Sequence, residues 1–276
     1  GDVGVTTKMY TNSTTIGKTG DEKTISRETP NTTYYREPDL IVGGDSASYD
    51  KSESYYKTIL GYDTPKAMAE AFTADYANMI ASIQKYGGFY IGRYELSNEG
   101  VQKGKVTLTD TNWYDLYKKC TTLNASDKVE SKMIWGIQWD LACDFISKKG
   151  EQKSITNSSA WGNYSDSTNP ANKGNYEKSK KKDTGSNEYW RANNIYDLAG
   201  NCWEWTQEAI YTSYRVIRGG YYNYDGSSYP ASYRGNFNAD GSSSNKRFSS
   251  HFNNKVVLKS INLSVYKNIK VQYFLK

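Results

Sequence analysis

Four side chains of the 276-residue chain are of the types that do thiol or imidazole chemistry: Cys120, Cys143, Cys202 and His251. The cysteines lie far apart and none forms a Cys-x-x-Cys pair, which excludes zinc ribbons and thioredoxin chemistry. Each has apolar neighbours in sequence: Leu116 and Leu123, Leu141 and Phe145, Leu198 and Trp203. That is the setting of a small buried hydrophobe, with one disulfide among the three left open. A single histidine removes the usual general base, and with it Ser/His/Asp triads, Cys/His pairs and multi-histidine metal centres. Carboxylates stand at Asp225 and Asp240 without clustered acids, so hydrolytic chemistry has little to work with.

Binding chemistry is better supplied. After Arg218-Gly219-Gly220 the chain is written in Tyr, Asn, Ser, Gly and Asp, the vocabulary of antibody binding loops. There, tyrosine gives large contact area at low entropic cost and the small polar residues adapt. Candidate contacts are Tyr221, Tyr222, Asn223, Tyr224, Asp225, Ser227, Ser228, Tyr229, Ser232, Tyr233, Asn236, Asn238 and Asp240, interleaved with scaffold positions Arg218, Arg234, Phe237 and Phe248. Rigid framework with adaptable tips is what a binding face needs. A Tyr/Ser/Asn-rich surface loop with no special role is the bland alternative.

The stretch ahead of this segment positions it. Asn-Ile-Tyr-Asp-Leu-Ala-Gly-Asn-Cys-Trp-Glu-Trp-Thr from Asn194, then Arg-Val-Ile-Arg-Gly-Gly from Arg215, carries apolar anchors at Leu198, Trp203 and Trp205. Gly200-Asn201 signals a turn, and Val216 with Ile217 a short buried strand. These two blocks resemble the central motif of the sulfatase-modifying, formylglycine-generating family. So do Phe-Tyr-Ile-Gly-Arg-Tyr-Glu-Leu at 89–96, the Trp113 helix, Gln138-Trp139-Asp140-Leu141-Ala142 and Trp161-Gly162-Asn163. The resemblance spans about Phe89 to Phe252 and implies an α+β, C-type-lectin-like fold. The family's paired active-site cysteines would follow Arg-Gly-Gly, yet no cysteine occurs between Gly219 and Lys276, and thiol chemistry needs a thiolate. The family form of the third helix is preceded by Arg-Leu-Pro-Thr, which is absent here.

The Tyr/Asn/Ser segment is similar to the variable region of diversity-generating retroelement proteins, because substituting the adenines of an Asn codon yields Tyr, Asp, Ser, Gly and Ala. That resemblance implies a non-catalytic variable receptor of bacterial or phage origin. It would sit outside the cell, on a cell surface or on a virion, and bind a protein or glycan on another cell surface. The other readings are a formylglycine-type oxidase or derived enzyme, and a structural phage or cell-surface component. The family also implies a structural calcium site, held by Asp197 and Glu204 side chains with main-chain carbonyls of Gly200 and Cys202, oxygen ligands that suit a hard cation. The alternative is that the two acids only cap and orient the turn. No other cofactor is required, and the sugar-binding Glu-Pro-Asn and Trp-Asn-Asp motifs are absent.

The supporting elements follow from pattern. Residues 1–60 are polar and read as an arm or accessory segment with short strands around Val3–Met9 and Tyr34–Val42; the lectin-like domain is 61–276, with its variable region at about 218–252. Thr64-Pro65 starts a helix, since a capping side chain precedes proline at the first helical position. Met68, Phe72, Tyr76, Met79, Ile80 and Ile83 give it one apolar face, and Gly87-Gly88 ends it. Phe89–Leu96 reads as a buried strand. Thr111 caps a second helix through Leu123, and a third runs from about Trp135 to Ser147. Residues 151–189 form a long polar loop covering the sheet rather than a second core. Alternation in Ile261–Val265 and Ile269–Leu275 predicts a terminal β-hairpin, and the family's closing strand is missing.

Composition sets outer bounds. The length suits one large domain with an appendage. Aromatics at 14%, with 26 tyrosines, against only 37% hydrophobic residues mean that tyrosine serves burial and surface contact together. The net charge of +5 is spread out except for Lys178–Lys182, a solvated run without interleaved aromatics rather than a nucleic-acid patch. No apolar run is long enough to span a membrane, and the start at Gly1 rather than Met leaves room for an export or anchoring segment ahead of it.

Overall fold

The structure is a computed structural model and describes residues 7–10, 22–25, 53–86, 89–123, 129–169, 179–210, 214–241, 248–249 and 252–256. It is an α+β arrangement of three helices and several small, mostly antiparallel sheets. A two-stranded ribbon, β1 (Thr7–Tyr10) with β2 (Glu22–Ile25), comes first. The expected strand at Tyr34–Val42, the Gly87-Gly88 stop, His251 and the terminal hairpin lie outside the described residues. A π-helical turn, Ser54–Ile59, follows, with Tyr56 and Leu60 buried in the core. Buried residues thus occur within the stretch 1–60 expected as a polar arm or accessory segment.

Helix α1 (Pro65–Tyr86) begins as its sequence dictates: the Thr64 hydroxyl accepts the Ala67 N–H at 3.0 Å, closing one of the donors that a helix start leaves open. Met68, Phe72, Tyr76, Met79 and Ile83 are buried on one face. Phe72 meets Tyr117, Trp113 and Trp135 at 4.8, 5.8 and 6.4 Å between ring centroids, offset geometries that suit aromatic quadrupoles. Strand β3 is only Tyr90–Ile91. The Phe89–Leu96 segment is buried as expected at Phe89, Ile91, Tyr94 and Leu96, but beyond Ile91 its main chain leaves the sheet: the Arg93 carbonyl accepts the Tyr196 N–H and the Leu96 carbonyl the Leu108 N–H.

Helix α2 (Trp113–Thr122) is capped by Asn112, whose side chain accepts the Asp115 N–H at 2.9 Å. Thr111, expected in that role, sits one residue too early. The Trp113 indole donates to the Thr206 carbonyl at 2.8 Å, fixing α2 to the last residue of the motif block that begins at Asn194. After β4 (Val129–Met133), α3 (Gly136–Lys148) starts at Trp135, whose N–H is taken by the Gln138 side chain. Nearly every residue from Gly136 to Cys143 is buried, because α3 runs through the middle of the domain.

Two-residue strands β5 (Arg191–Ala192) and β6 (Ile195–Tyr196) turn at Asn193 and Asn194, with φ of 48° and 68°, the left-handed pair that a tight hairpin demands. Strands β7 (Trp203–Ile210), β8 (Tyr214–Arg218) and β9 (Arg234–Asn238) form a meander, and β10 (Phe248–Ser249) runs parallel beside β7. Val216 and Ile217 are buried in β8 as expected. The last described strand, β11 (Phe252–Val256), lies between β3 and β4, antiparallel to both. It joins two strands from the first half of the chain, and framework resumes by residue 248, inside the stretch read as variable to about 252. No helix among the described residues is long and apolar enough to cross a membrane.

Candidate functional site: a clamped loop with an aromatic face

The segment between β8 and β9 leaves the sheet at Arg218 and re-enters it at Arg234, residues paired directly across the two strands. Both are fully buried. Arg218 donates to one Asp140 oxygen at 2.6 Å, and Arg234 donates to the other Asp140 oxygen and to Glu208. One carboxylate on α3 thus holds both ends of the loop. The sequence marked the two arginines as scaffold; it gave no role to Asp140 or Glu208, whose partners are 78 to 94 and 26 residues away. Burial raises the Glu208 carboxyl above its usual range, against the lowering charge of Arg234.

The floor of the loop is equally specified. The Trp139 indole donates to the Ala231 carbonyl at 2.9 Å, and Cys143, one turn further along α3, points its thiol at the same oxygen. The Tyr164 hydroxyl donates to the Gly219 carbonyl at 2.8 Å. Segment 154–169, expected as a loop covering the sheet, is instead the bed of this loop. Ser158 N–H donates to the Gly226 carbonyl, Ser158 Oγ accepts the Ala231 N–H, and Ser165 N–H donates to the Tyr224 carbonyl. Asp166 accepts the Gly226 N–H at 2.8 Å and the Ser159 hydroxyl at 2.7 Å. Gly220 has φ of +89°, and a Cβ there would fall 2.2 Å from the Tyr229 carbonyl, so only glycine fits this turn.

The side chains behave differently from the main chain. Asn223, Tyr224, Ser227, Ser228 and Asn236 are exposed, while Tyr221, Tyr222, Asp225, Tyr229, Tyr233, Asn238 and Asp240 are half-buried. Ser232 is a correction: it is fully buried, with its hydroxyl and N–H both donated to the Ile155 carbonyl, so it belongs to the floor. The tyrosines gather round Trp203, with Tyr233, Tyr229, Tyr224 and Tyr221 at 4.9, 5.7, 6.0 and 6.4 Å from its ring. Tyr224, 44% exposed, stands outermost. Trp203 was legible as an apolar anchor, but its place at the root of the aromatic face was not.

The expected calcium turn is adjacent. Gly200 N–H donates to the Gly219 carbonyl at 2.7 Å, and Tyr222 N–H to the Asn201 carbonyl, which ties this turn to the loop's first residues. Asp197 and Glu204 are buried, and Asp197 accepts the Gly185 N–H at 2.7 Å and the Thr184 hydroxyl at 3.1 Å. A third buried acid, Glu95, accepts from Thr107 at 2.8 Å and Asn201 at 2.6 Å through one oxygen; its other oxygen is buried without a hydrogen-bond partner. Burial first, then the charges of Asp197 and Glu204, raise Glu95 well above the ordinary 4.5. No group of three or more His, Cys, Asp or Glu side chains among the described residues is disposed around a metal position, so a cation here would draw on the Gly200 and Cys202 carbonyls. All three cysteines are buried, and burial pushes the Cys143 thiol up to about 12.

No protein-family model matches the chain, and no curated protein matches it. Among solved structures it is similar to Treponema denticola variable protein 1, at 15% identity over 92% of this chain and 93% of that one, with a TM-score of 0.35, a likeness that carries over neither fold nor function.

Replacing Asp140 by alanine takes from buried Arg218 the carboxylate it donates to and leaves Arg234 with Glu208, and is expected to destabilise the protein by about 3–5 kcal/mol, read by urea unfolding. Tyr224→Ala, at an exposed position, changes stability by about 1 kcal/mol or less. A carboxyl whose folded pKa is raised stabilises fully below its unfolded value and progressively less as pH rises through the folded one. Wild type is therefore expected to lose stability relative to Glu95→Gln from about pH 4.5 upward, measured by paired melts across pH. Parallel curves would show that Glu95 holds its proton no more tightly folded than unfolded.

Proposed function

We propose that the chain is a non-catalytic variable receptor, a diversity-generating retroelement protein on a C-type-lectin-like scaffold of the formylglycine-generating type, displaying the loop after Gly220 to a protein or glycan on a cell surface. It acts outside the cell that makes it, on an envelope or a virion. The observation that carries this reading is the division of labour in 219–233. Its main chain is held by hydrogen bonds to Ser158, Tyr164, Ser165 and Asp166 and by the Asp140 clamp. Its exposed side chains at Asn223, Tyr224, Ser227 and Ser228 can be exchanged without touching any of those bonds. A face that changes its chemistry while keeping its shape requires that separation, since ordering a flexible loop on binding costs affinity.

The absence of chemistry in this reading is supported by the thiols. The three cysteines are buried, and burial raises the thiols of Cys143 and Cys202, so neither of these presents a thiolate to solvent. Within the same reading, the side chains of Asp197 and Glu204 with the main-chain carbonyls of Gly200 and Cys202 would hold a structural calcium ion, whose positive charge would offset these buried acids.

Sibling sequences from the same source are expected to differ mainly at Tyr221–Asn245, at codons that a template spells with adenine, and to keep Asp140, Glu208, Arg218, Ser232 and Arg234. Differences scattered evenly along the chain would remove the reading. For the ion, a chelator is expected to lower the melting temperature of protein prepared with calcium, and an unchanged melt would dismiss it.

A further inference from the structure

The face and its bed have a charge character unlike the rest of the chain. Residues 154–169 and 219–233 carry two carboxylates, Asp166 and Asp225, and no basic residue before Arg234 re-enters the sheet. Arg234 is buried and spent on Asp140 and Glu208. The whole chain carries a net +5, so this is a locally anionic surface on a basic protein. The basic run at 180–182 hydrogen-bonds Asn163 and Asn201 through its main chain, and the Lys181 ammonium turns to Thr107 and Thr109.

Asp225 lies at the edge of this face, with one oxygen fixed at 2.7 Å from both the Ser227 hydroxyl and the Ser228 N–H. Beside it the outermost ring, Tyr224, is 4.6 Å from Tyr229 between centroids and tilted against it. Aromatic ring faces are regions of negative potential that attract cations, and guanidinium groups stack on them as well as pairing with carboxylates. Nucleic acid, anionic lipid and acidic glycans meet carboxylates here and no exposed partner for their charge within these two segments. A neutral glycan could stack on the tyrosines but would leave Asp225 unused.

We propose, resting on the receptor reading above, that in this sequence the face takes a protein segment bearing exposed arginine or lysine side chains, with a cation lodged between Tyr224 and Asp225. A receptor of net positive charge that selects basic partners does so against its own long-range field, so the selection must come from this local surface.

The test is selection from a phage-displayed random peptide library on the full chain at about 0.15 M salt, where charges beyond about 8 Å are screened. Recovered peptides are expected to be enriched in Arg and Lys. Their binding should weaken about two- to fivefold on Tyr224→Ala, persist on Tyr224→Phe, which keeps the ring, and weaken on Asp225→Asn. Acidic or uncharged peptides, or neutral glycans on an array, that bind and lose binding on Tyr224→Ala would overturn the basic partner and leave the receptor reading standing. Recovery of no ligand sensitive to Tyr224 or Asp225 would overturn both.

Discussion

Two arginines and two carboxylates buried together, Arg218, Arg234, Asp140 and Glu208, are the constraint on which the rest of this molecule turns. Taking four charged groups out of water is costly, and the cost is recovered only when geometry and hydrogen bonding are good on every side. That demand is what makes the arrangement specific. If α3 shifted along its axis, Asp140 would leave both arginines; if β9 slipped one residue, Arg234 would face the other side of the sheet and both acids would lose it. The helix, the sheet and both roots of the loop are therefore locked in a single register by one cluster.

Around that cluster the domain divides its polar atoms between two duties. Main-chain groups of the loop are satisfied by a bed of serines, Tyr164 and Asp166, and the exposed side chains Asn223, Tyr224 and Ser228 stand outside those bonds. Burial of Ser232 beneath the loop, and of Gly220 where a Cβ would meet the Tyr229 carbonyl, marks the positions that cannot join in. Trp203 stands between the duties, 9% exposed, a floor on which several rings can rest in different orientations. Tyrosine suits such a place because its ring packs while its hydroxyl stays wet.

Local signals were readable before any coordinates. The capped, amphipathic α1, the α3 segment, the Gly200-Asn201 turn and the short β8 all follow from periodicity and turn chemistry, and the scaffold role of Arg218 and Arg234 was legible from their positions between Tyr-rich tips. What escaped was whatever depends on a distant partner. Ser232 looks like its neighbours in sequence and is separated from them only by Ile155, a residue 77 positions earlier. Glu95 reads as one polar letter in an apolar strand until the fold brings Asp197 and Glu204 beside it. The shortness of β3 has the same cause, since its middle-strand partner arrives from Phe252–Val256, a segment whose own composition is polar.

That late partner has a consequence for synthesis. β3 and β4 belong to the first half of the chain, yet the strand that joins them is synthesised after the loop segment. A polypeptide halted by a premature stop anywhere in the Tyr-rich stretch keeps both outer strands and lacks the one between, exposing two unpaired edges of the kind that invite aggregation and degradation. Full-length translation is thus a condition for a sealed domain.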